Sequence, residues 1–154
     1  MSVQLDVQVA TTATLAPKRQ QIQRWVEAAL LPFRTAAEVC VRLVDRDESA
    51  ALNQQYRGRS GPTNVLSFAT ELPEGVTLCM LGDLVICVPL VASEALDQDK
   101  PYFDHFAHLV VHGCLHLLGH DHEEESQAEE MESVERRILA DLGIPDPYSP
   151  NPCQ

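Results

Sequence analysis

Three histidines in the second half of the chain have the residue type and spacing of a metal site. His112, His116 and His122 follow the pattern H-x3-H-x5-H, with Gly119 between the second and the third. Residues four apart on a helix share a face, so His112 and His116 can bind one ion. Gly119 can adopt the left-handed conformation that ends a helix, and the chain can then return His122 to that ion. Three protein ligands leave one tetrahedral position open, as at catalytic zinc sites.

The other histidines of this stretch have less suitable spacing. His105 and His108 lie one or two turns upstream, where surface or outer positions are expected, and His120 could compete for the ion. A single histidine on a helix is usually solvated, so the third histidine beyond the glycine is what favours a metal site over coincidence. Nickel, copper and iron also bind imidazole, but one zinc ion per chain is the expected cofactor.

The residue after the first of these histidines argues against one hydrolase chemistry. The spacing is also that of metzincin proteases, which need Glu at that position as general base. Here the position is Gly113, so peptide hydrolysis by that mechanism lacks its base. Zinc alone still lowers the pKa of bound water to about 7, so metal catalysis remains possible. Asp121 is the nearest candidate for acid–base work, and a turn residue that caps backbone N–H groups is its equal alternative.

Length and composition favour one domain in a reducing compartment. The chain has 154 residues, 45% of them hydrophobic, which predicts a single domain over residues 1–146 and a flexible Pro-rich tail over 147–154. No apolar run approaches the roughly 20 residues of a membrane span, and the N-terminus lacks a signal-peptide pattern. We therefore expect a cytoplasmic protein without a membrane partner. Five scattered cysteines favour buried thiols over disulfides.

The net charge of −12 is distributed unevenly along the chain. Residues 1–59 contain 8 basic and 6 acidic residues, whereas residues 60–154 contain 3 basic and 17 acidic ones. A field of this sign repels nucleic acid overall, yet a local basic groove built from the first part remains possible. The acidic part favours basic protein partners.

Apolar periodicity predicts a mixed α/β domain. Alternation or short apolar runs predict four strands, at residues 3–9, 39–44, 65–68 and 84–88. Helical spacing predicts five helices, at residues 17–31, 47–56, 89–96, 101–118 and 126–142. Strands interleaved with helices indicate a roughly four-stranded mixed sheet packed with about five helices, and the metal site then lies at the end of a central helix.

Three further motifs precede the histidine segment. They are N-x-x-Y-R at residues 53–57, P-T-N-V-L-S-F at residues 62–68 and G-D-L-V-I at residues 82–86. Together with H-G-C-L-H-L-L-G-H-D-H at residues 112–122, they resemble the YbeY family of bacterial endoribonucleases and rRNA maturation factors. The resemblance covers about residues 40–140, and its one departure is His120, where the family usually has Tyr.

The resemblance implies an α/β fold, a metal held by His112, His116 and His122, and cleavage of single-stranded RNA. It also implies roles in late-stage 70S ribosome quality control and maturation of the 3′ end of 16S rRNA. The implied partners are precursor rRNA and the small ribosomal subunit or its proteins. Arg57 takes the position of the family's functional arginine, and a guanidinium can bind phosphate oxygens and offset charge developing at phosphorus. We therefore expect Arg57 to be catalytic, together with Asp121, whose position beside His122 makes it the candidate acid or base.

Alternative chemistries remain open at this stage. The RNA could be cut by water activated at the metal or by the substrate's own 2′-OH. A ribosome-assembly factor with a mainly structural metal is a rival from another functional class. A metalloprotease is the weaker rival, because Gly113 replaces the general base.

Overall fold

The computed structural model describes residues 2–70, 80–119 and 125–148. Within these ranges the strands are β1 Ser2–Ala10, β2 Ala36–Val44, β3 Val65–Ala69 and β4 Met80–Cys87. The helices are α1 Arg19–Leu30, α2 Arg46–Arg57, α3 Val88–Asp97, α4 Tyr102–Leu117 and α5 Glu125–Asp141. The predicted mixed α/β fold with four strands and five helices is confirmed.

The sheet has the strand order β1-β2-β4-β3. β1, β2 and β4 are parallel, and β3 pairs antiparallel with β4 at one edge. The β2–β4 register shifts beside Val39, which pairs with Gly82. A Cβ at Gly82 would lie 2.1 Å from the carbonyl oxygen of Phe68, and the residue has φ of 147°, so this position requires glycine.

The two faces of the sheet are covered unequally. Val39, Val41 and Leu43 alternate along β2 and join the main hydrophobic core, which lies under α1 and α4. The opposite face has a smaller cluster that includes Val44 and Leu66, with Leu52 of α2 packed against it. The larger core therefore lies on the side of the sheet that carries α4.

Helix α4 is the central helix of the domain. It contacts α1, α3, α5, β3 and β4, and its buried residues point in almost every direction. A helix that is apolar on nearly all sides is a core helix. After its first turn, the half-buried positions are His108, His112 and His116. These three are spaced four apart, so they form one ridge, which we call the histidine ridge.

Cys40, Cys87 and Cys114 are free thiols, and burial raises the pKa of Cys114 to about 12, which agrees with a packing role. In the described ranges, no helix combines the length and apolar character that a membrane crossing requires.

At the start of the predicted tail, Pro147 contacts Lys100 and Tyr148 contacts Glu135. Residues 149–154 lie outside the described residues, so the domain boundary after residue 146 stays a prediction.

Candidate metal centre

Two of the predicted ligands converge on the histidine ridge. The Nε2 atoms of His112 and His116 lie 3.1 Å apart, and the ring centroids are 4.6 Å apart. This separation fits an N–H···N hydrogen bond. It is also close to the roughly 3.3 Å between two nitrogens that each lie 2.0–2.1 Å from one tetrahedral zinc ion. The donor type and spacing of this pair therefore fit two ligands of one ion.

A buried carboxylate from α5 faces the same ridge. The Glu135 side chain is fully buried, with Oε1 at 2.6 Å from Nδ1 of His112 and Oε2 at 2.8 Å from Nε2 of His108. Burial acts to raise the pKa of Glu135, but the hydrogen bonds from His108 and His112 outweigh it and bring the pKa to about 2. Glu135 is thus an ionised acceptor. An ionised acceptor at this distance calls for a proton on Nδ1 of His112, while Nε2 of the same ring points to His116.

His108, His112 and Glu135 form a cluster that could hold a metal ion by itself, since their ligand atoms all lie within 4.8 Å of one another. However, the contacts of 2.6 and 2.8 Å are hydrogen-bond lengths. They are shorter than the roughly 3 Å expected between two ligand atoms of one ion. The geometry therefore favours Glu135 as a hydrogen-bond partner of the histidines.

Glu135 was missed by reasoning from the sequence, although a signal was present. It lies on the apolar face of α5, between buried Met131 and buried Ile138 and Leu139. A charged residue at helical spacing among core residues needs a partner, because an unpaired buried charge is costly. The sequence alone does not show that the partners are histidines of another helix.

The histidine ridge lines a cleft with a cavity volume of about 690 Å³. Arg57 at the end of α2, Ser67 and other residues of β3, and Tyr148 after α5 also line it. The structure therefore brings the predicted Arg57 into the same cleft as His112 and His116. Such a volume accommodates part of an extended polymer as well as a small ligand.

Hydrogen bonds from α2 fix the loop that follows Arg57. The helix ends at Gly58, which has φ of 65°. The side chain of Asn53 donates to the carbonyl oxygen of Gly61 at 2.9 Å. The Ser49 hydroxyl accepts from the backbone N–H of Thr63 at 3.0 Å and donates to its carbonyl oxygen at 2.9 Å. Arg57 therefore projects, solvent-exposed, from a rigid helix end.

The loop is also anchored to α3. The Asn64 side chain accepts from the backbone N–H of Val65 at 2.7 Å and donates to Glu94 at 3.2 Å. Glu94 also contacts Nε2 of His105 at 3.0 Å. His105 is buried, and burial lowers its pKa despite the nearby carboxylate, so it is a structural residue rather than a surface one. His108 instead contacts Oε2 of Glu135 through Nε2 at 2.8 Å.

The remaining predicted site residues lie outside the described residues. They are His122, the third expected ligand, Asp121, the expected acid or base, and His120. Their roles stay predictions.

Comparison with known proteins shows to which family this chain belongs. The family described as Endoribonuclease YbeY matches residues 6–143. A relative named Endoribonuclease YbeY, from Halorhodospira halophila, is 57% identical over 136 residues, which cover 86% of this chain and 88% of the relative. The chain belongs to the endoribonuclease YbeY family. The family and enzyme class expected from the motifs are confirmed.

A solved structure supports the fold of this YbeY-family chain. The solution structure of a protein from Thermotoga maritima matches with a TM-score of 0.58 over 94% of this chain and 99% of that one. The two sequences are 24% identical, so this likeness concerns the fold alone.

Proposed function

We propose that this YbeY-family enzyme is a metal-dependent endoribonuclease that cuts single-stranded RNA in the cleft along the histidine ridge. One observation carries the proposal: the exposed guanidinium of Arg57 lines the same cavity as His112 and His116, whose Nε2 atoms are 3.1 Å apart. A cation in the same cleft as a metal centre suits a phosphodiester, whose reaction concentrates negative charge on the phosphoryl oxygens.

The metal we propose is one zinc ion held by His112, His116 and His122. Imidazole nitrogens are suitable zinc donors, and the Glu135 carboxylate holds His112 in the tautomer that zinc requires. When bound, zinc lowers the pKa of a coordinated water to about 7. Arg57 binds the phosphate oxygens, and Asp121 transfers a proton.

Aromatic side chains beside Arg57 support a single-stranded substrate. Tyr56 is 59% exposed and lines the cleft, with its ring 5.0 Å from the ring of Phe68 in an edge-on arrangement. Unpaired bases stack on exposed aromatic rings, whereas bases in a duplex are already stacked on each other. A Tyr56 stack next to an Arg57–phosphate contact fits one nucleotide of a flexible strand.

The proposed cellular roles are late-stage 70S ribosome quality control and maturation of the 3′ end of 16S rRNA, in the cytoplasm. The resemblance to the family supports them. The acidic part of the chain, with 17 acidic and 3 basic residues over 60–154, also complements basic proteins of the small subunit.

Arg57→Ala tests the enzyme proposal, with Arg59→Ala as its matched control. Arg59 is also exposed and lies two residues further on, in the loop that follows α2, but it is not among the described residues that line the cleft. On a precursor 16S rRNA 3′ end, Arg57→Ala should lower kcat/KM about a hundredfold or more, because a group that stabilises transition-state charge is removed. Arg59→Ala should stay close to the wild type, and metal content should be unchanged in both.

Equal cleavage by the two variants would contradict the proposal. Growth supported by Arg57→Ala would favour a ribosome-assembly factor with a structural metal, which the acidic surface also suits. If the cleaved RNA carries a 2′,3′-cyclic phosphate, the attacking group is the 2′-OH of the substrate and not water. Stoichiometric zinc retained by a His112, His116 and His122 triple alanine variant would refute the metal site.

A further inference from the structure

A tyrosine beyond α5 reaches back to the metal centre. The Tyr148 hydroxyl donates to Oε2 of Glu135 at 2.5 Å and lies 3.2 Å from Nε2 of His108. The Tyr148 ring meets the His108 ring edge-on, with the centroids 5.4 Å apart. The match to the YbeY family ends at residue 143, so Tyr148 is not part of what the family comparison covers.

Several contacts hold the segment that carries Tyr148. Arg136 of α5 pairs with Asp146 at 3.0 Å, and Asp146 accepts from the backbone N–H of Tyr148 at 2.9 Å. The Arg136 guanidinium also lies 5.4 Å from the centre of the Tyr148 ring, within the range of a cation–π contact. Lys100 donates to the carbonyl oxygen of Pro147 at 3.4 Å. Tyr148 is therefore placed by both α5 and the α3–α4 connection.

The hydroxyl completes the hydrogen bonding of a buried carboxylate. One oxygen of Glu135 accepts from His112, and the other accepts from His108 and from Tyr148. Donors at both oxygens fix the plane of the carboxylate, since each of its lone pairs is directional. Without Tyr148, the second oxygen would keep only His108. The carboxylate could then tilt and move the ring of His112 with it.

We propose that Tyr148 is a positioning residue of the metal centre. Its hydroxyl orients Glu135, and Glu135 holds His112 as the Nδ1–H tautomer with Nε2 directed at the ion. The proposal rests on the metal centre proposed above and adds a chain segment outside the matched family region. Tyr148 acts through Glu135 and is not itself a ligand.

Tyr148→Phe tests the proposal, with Tyr102→Phe as the matched control. The Tyr102 hydroxyl is buried and has no hydrogen-bond partner within the described part of the chain. Metal-free full-length proteins are titrated with zinc against a competing chelator. Loss of an outer hydrogen bond weakens metal affinity about 10- to 100-fold. Tyr148→Phe should weaken zinc binding about tenfold, and Tyr102→Phe should bind as the wild type does.

A second variant and a spectroscopic measurement separate positioning from loss of structure. Glu135→Gln should weaken zinc binding more than Tyr148→Phe does, because it removes the acceptor charge itself. Long-range ¹H–¹⁵N NMR of His112 should show the Nδ1–H tautomer in the metal-free wild type and a mixture of tautomers in Tyr148→Phe. The free energy of unfolding of Tyr148→Phe, measured in urea without zinc, shows whether the variant remains folded.

The outcomes distinguish this proposal from the one on which it rests. A wild-type protein that binds no zinc would remove the metal centre itself. If the wild type binds one zinc ion, and Tyr148→Phe matches Tyr102→Phe in affinity and in His112 tautomer, then Tyr148 has no positioning role. Weaker binding by Tyr148→Phe alone, with altered tautomer, supports the proposal.

Discussion

The position of Gly113, where metzincins carry their general base, is tightly packed in this fold. It lies on the side of α4 that packs against the sheet, and its carbonyl oxygen accepts from the Ser67 hydroxyl at 3.3 Å. A Cβ at this position would lie 2.8 Å from Cδ2 of Leu84 and 3.3 Å from Oγ of Ser67. The position that carries Glu in metzincins therefore faces β3 and β4 in this fold, and a longer side chain there would have to displace Leu84 and Ser67.

Gly113→Ala should lower the free energy of unfolding by about 1 kcal/mol in urea denaturation. Overpacking of a tight core costs about 1–3 kcal/mol, and the better helix propensity of Ala offsets about 1 kcal/mol of it. The control is the same change in a Leu84→Val background, which removes the two Leu84 δ carbons nearest to the new methyl group. There Gly113→Ala should be neutral or stabilising. The same loss in both backgrounds would show that the close contact is not the cause.

The periodicity of apolar residues was enough to predict most of the helices and strands. The period-2 pattern of β2 and the period-3.6 pattern of α4 each depend on neighbours a few residues away, so they can be read locally. The His112–His116 pair follows from one turn of the same helix, and Arg57 was identified through its motif. The contact of Glu135 with His112 joins two helices across 23 residues. Local pattern does not determine how α5 packs on α4, so this contact could not be predicted.

The junction of β2 and α2 is held by a residue that does not cap its own helix. Asp45 is the N-cap of α2, but its carboxylate has no capping bond with that helix. It accepts instead from the hydroxyl of Thr11, and from the backbone N–H and the hydroxyl of Thr12 at 3.1 and 3.0 Å. These hydrogen bonds hold the pKa of Asp45 below its ordinary value, and the bond from Thr11 has the largest effect. Asp45 thus links the end of β1 to the end of β2.

Asp45→Asn should reduce stability in a pH-dependent way. A carboxylate whose pKa is lowered on folding stabilises the folded state above its ordinary pKa, near 4, and this contribution is lost as the pH falls through the lowered pKa. The wild type should therefore be more stable than Asp45→Asn at pH 6, and the gap should narrow towards pH 3 in urea titrations. In a Thr11→Val background the gap at pH 6 should already be smaller. A gap that does not change with pH would mean that the charge of Asp45 is not involved.

The charge of the whole chain limits how the protein can hold RNA. The net charge is −12, and Arg57 is the sole Lys or Arg among the described residues that line the cleft. A protein of this sign gains little from long-range attraction to phosphates. On the function proposed above, RNA affinity would come from a few close contacts: the metal centre, the Arg57 guanidinium and a base stacked on Tyr56.

RNA binding should consequently depend only weakly on salt. For single strands, the logarithm of the binding constant falls with the logarithm of salt concentration with a slope of about −0.7 per neutralised phosphate. One or two contacts predict a slope between about −0.7 and −1.4, measured by fluorescence anisotropy of a labelled single-stranded RNA from about 50 to 200 mM KCl. Arg57→Ala should bring the slope about 0.7 closer to zero, because one phosphate contact is lost. A wild-type slope of about −3 or steeper would instead require a basic RNA-binding surface away from this cleft, and Arg57→Ala would then leave most of the salt dependence in place.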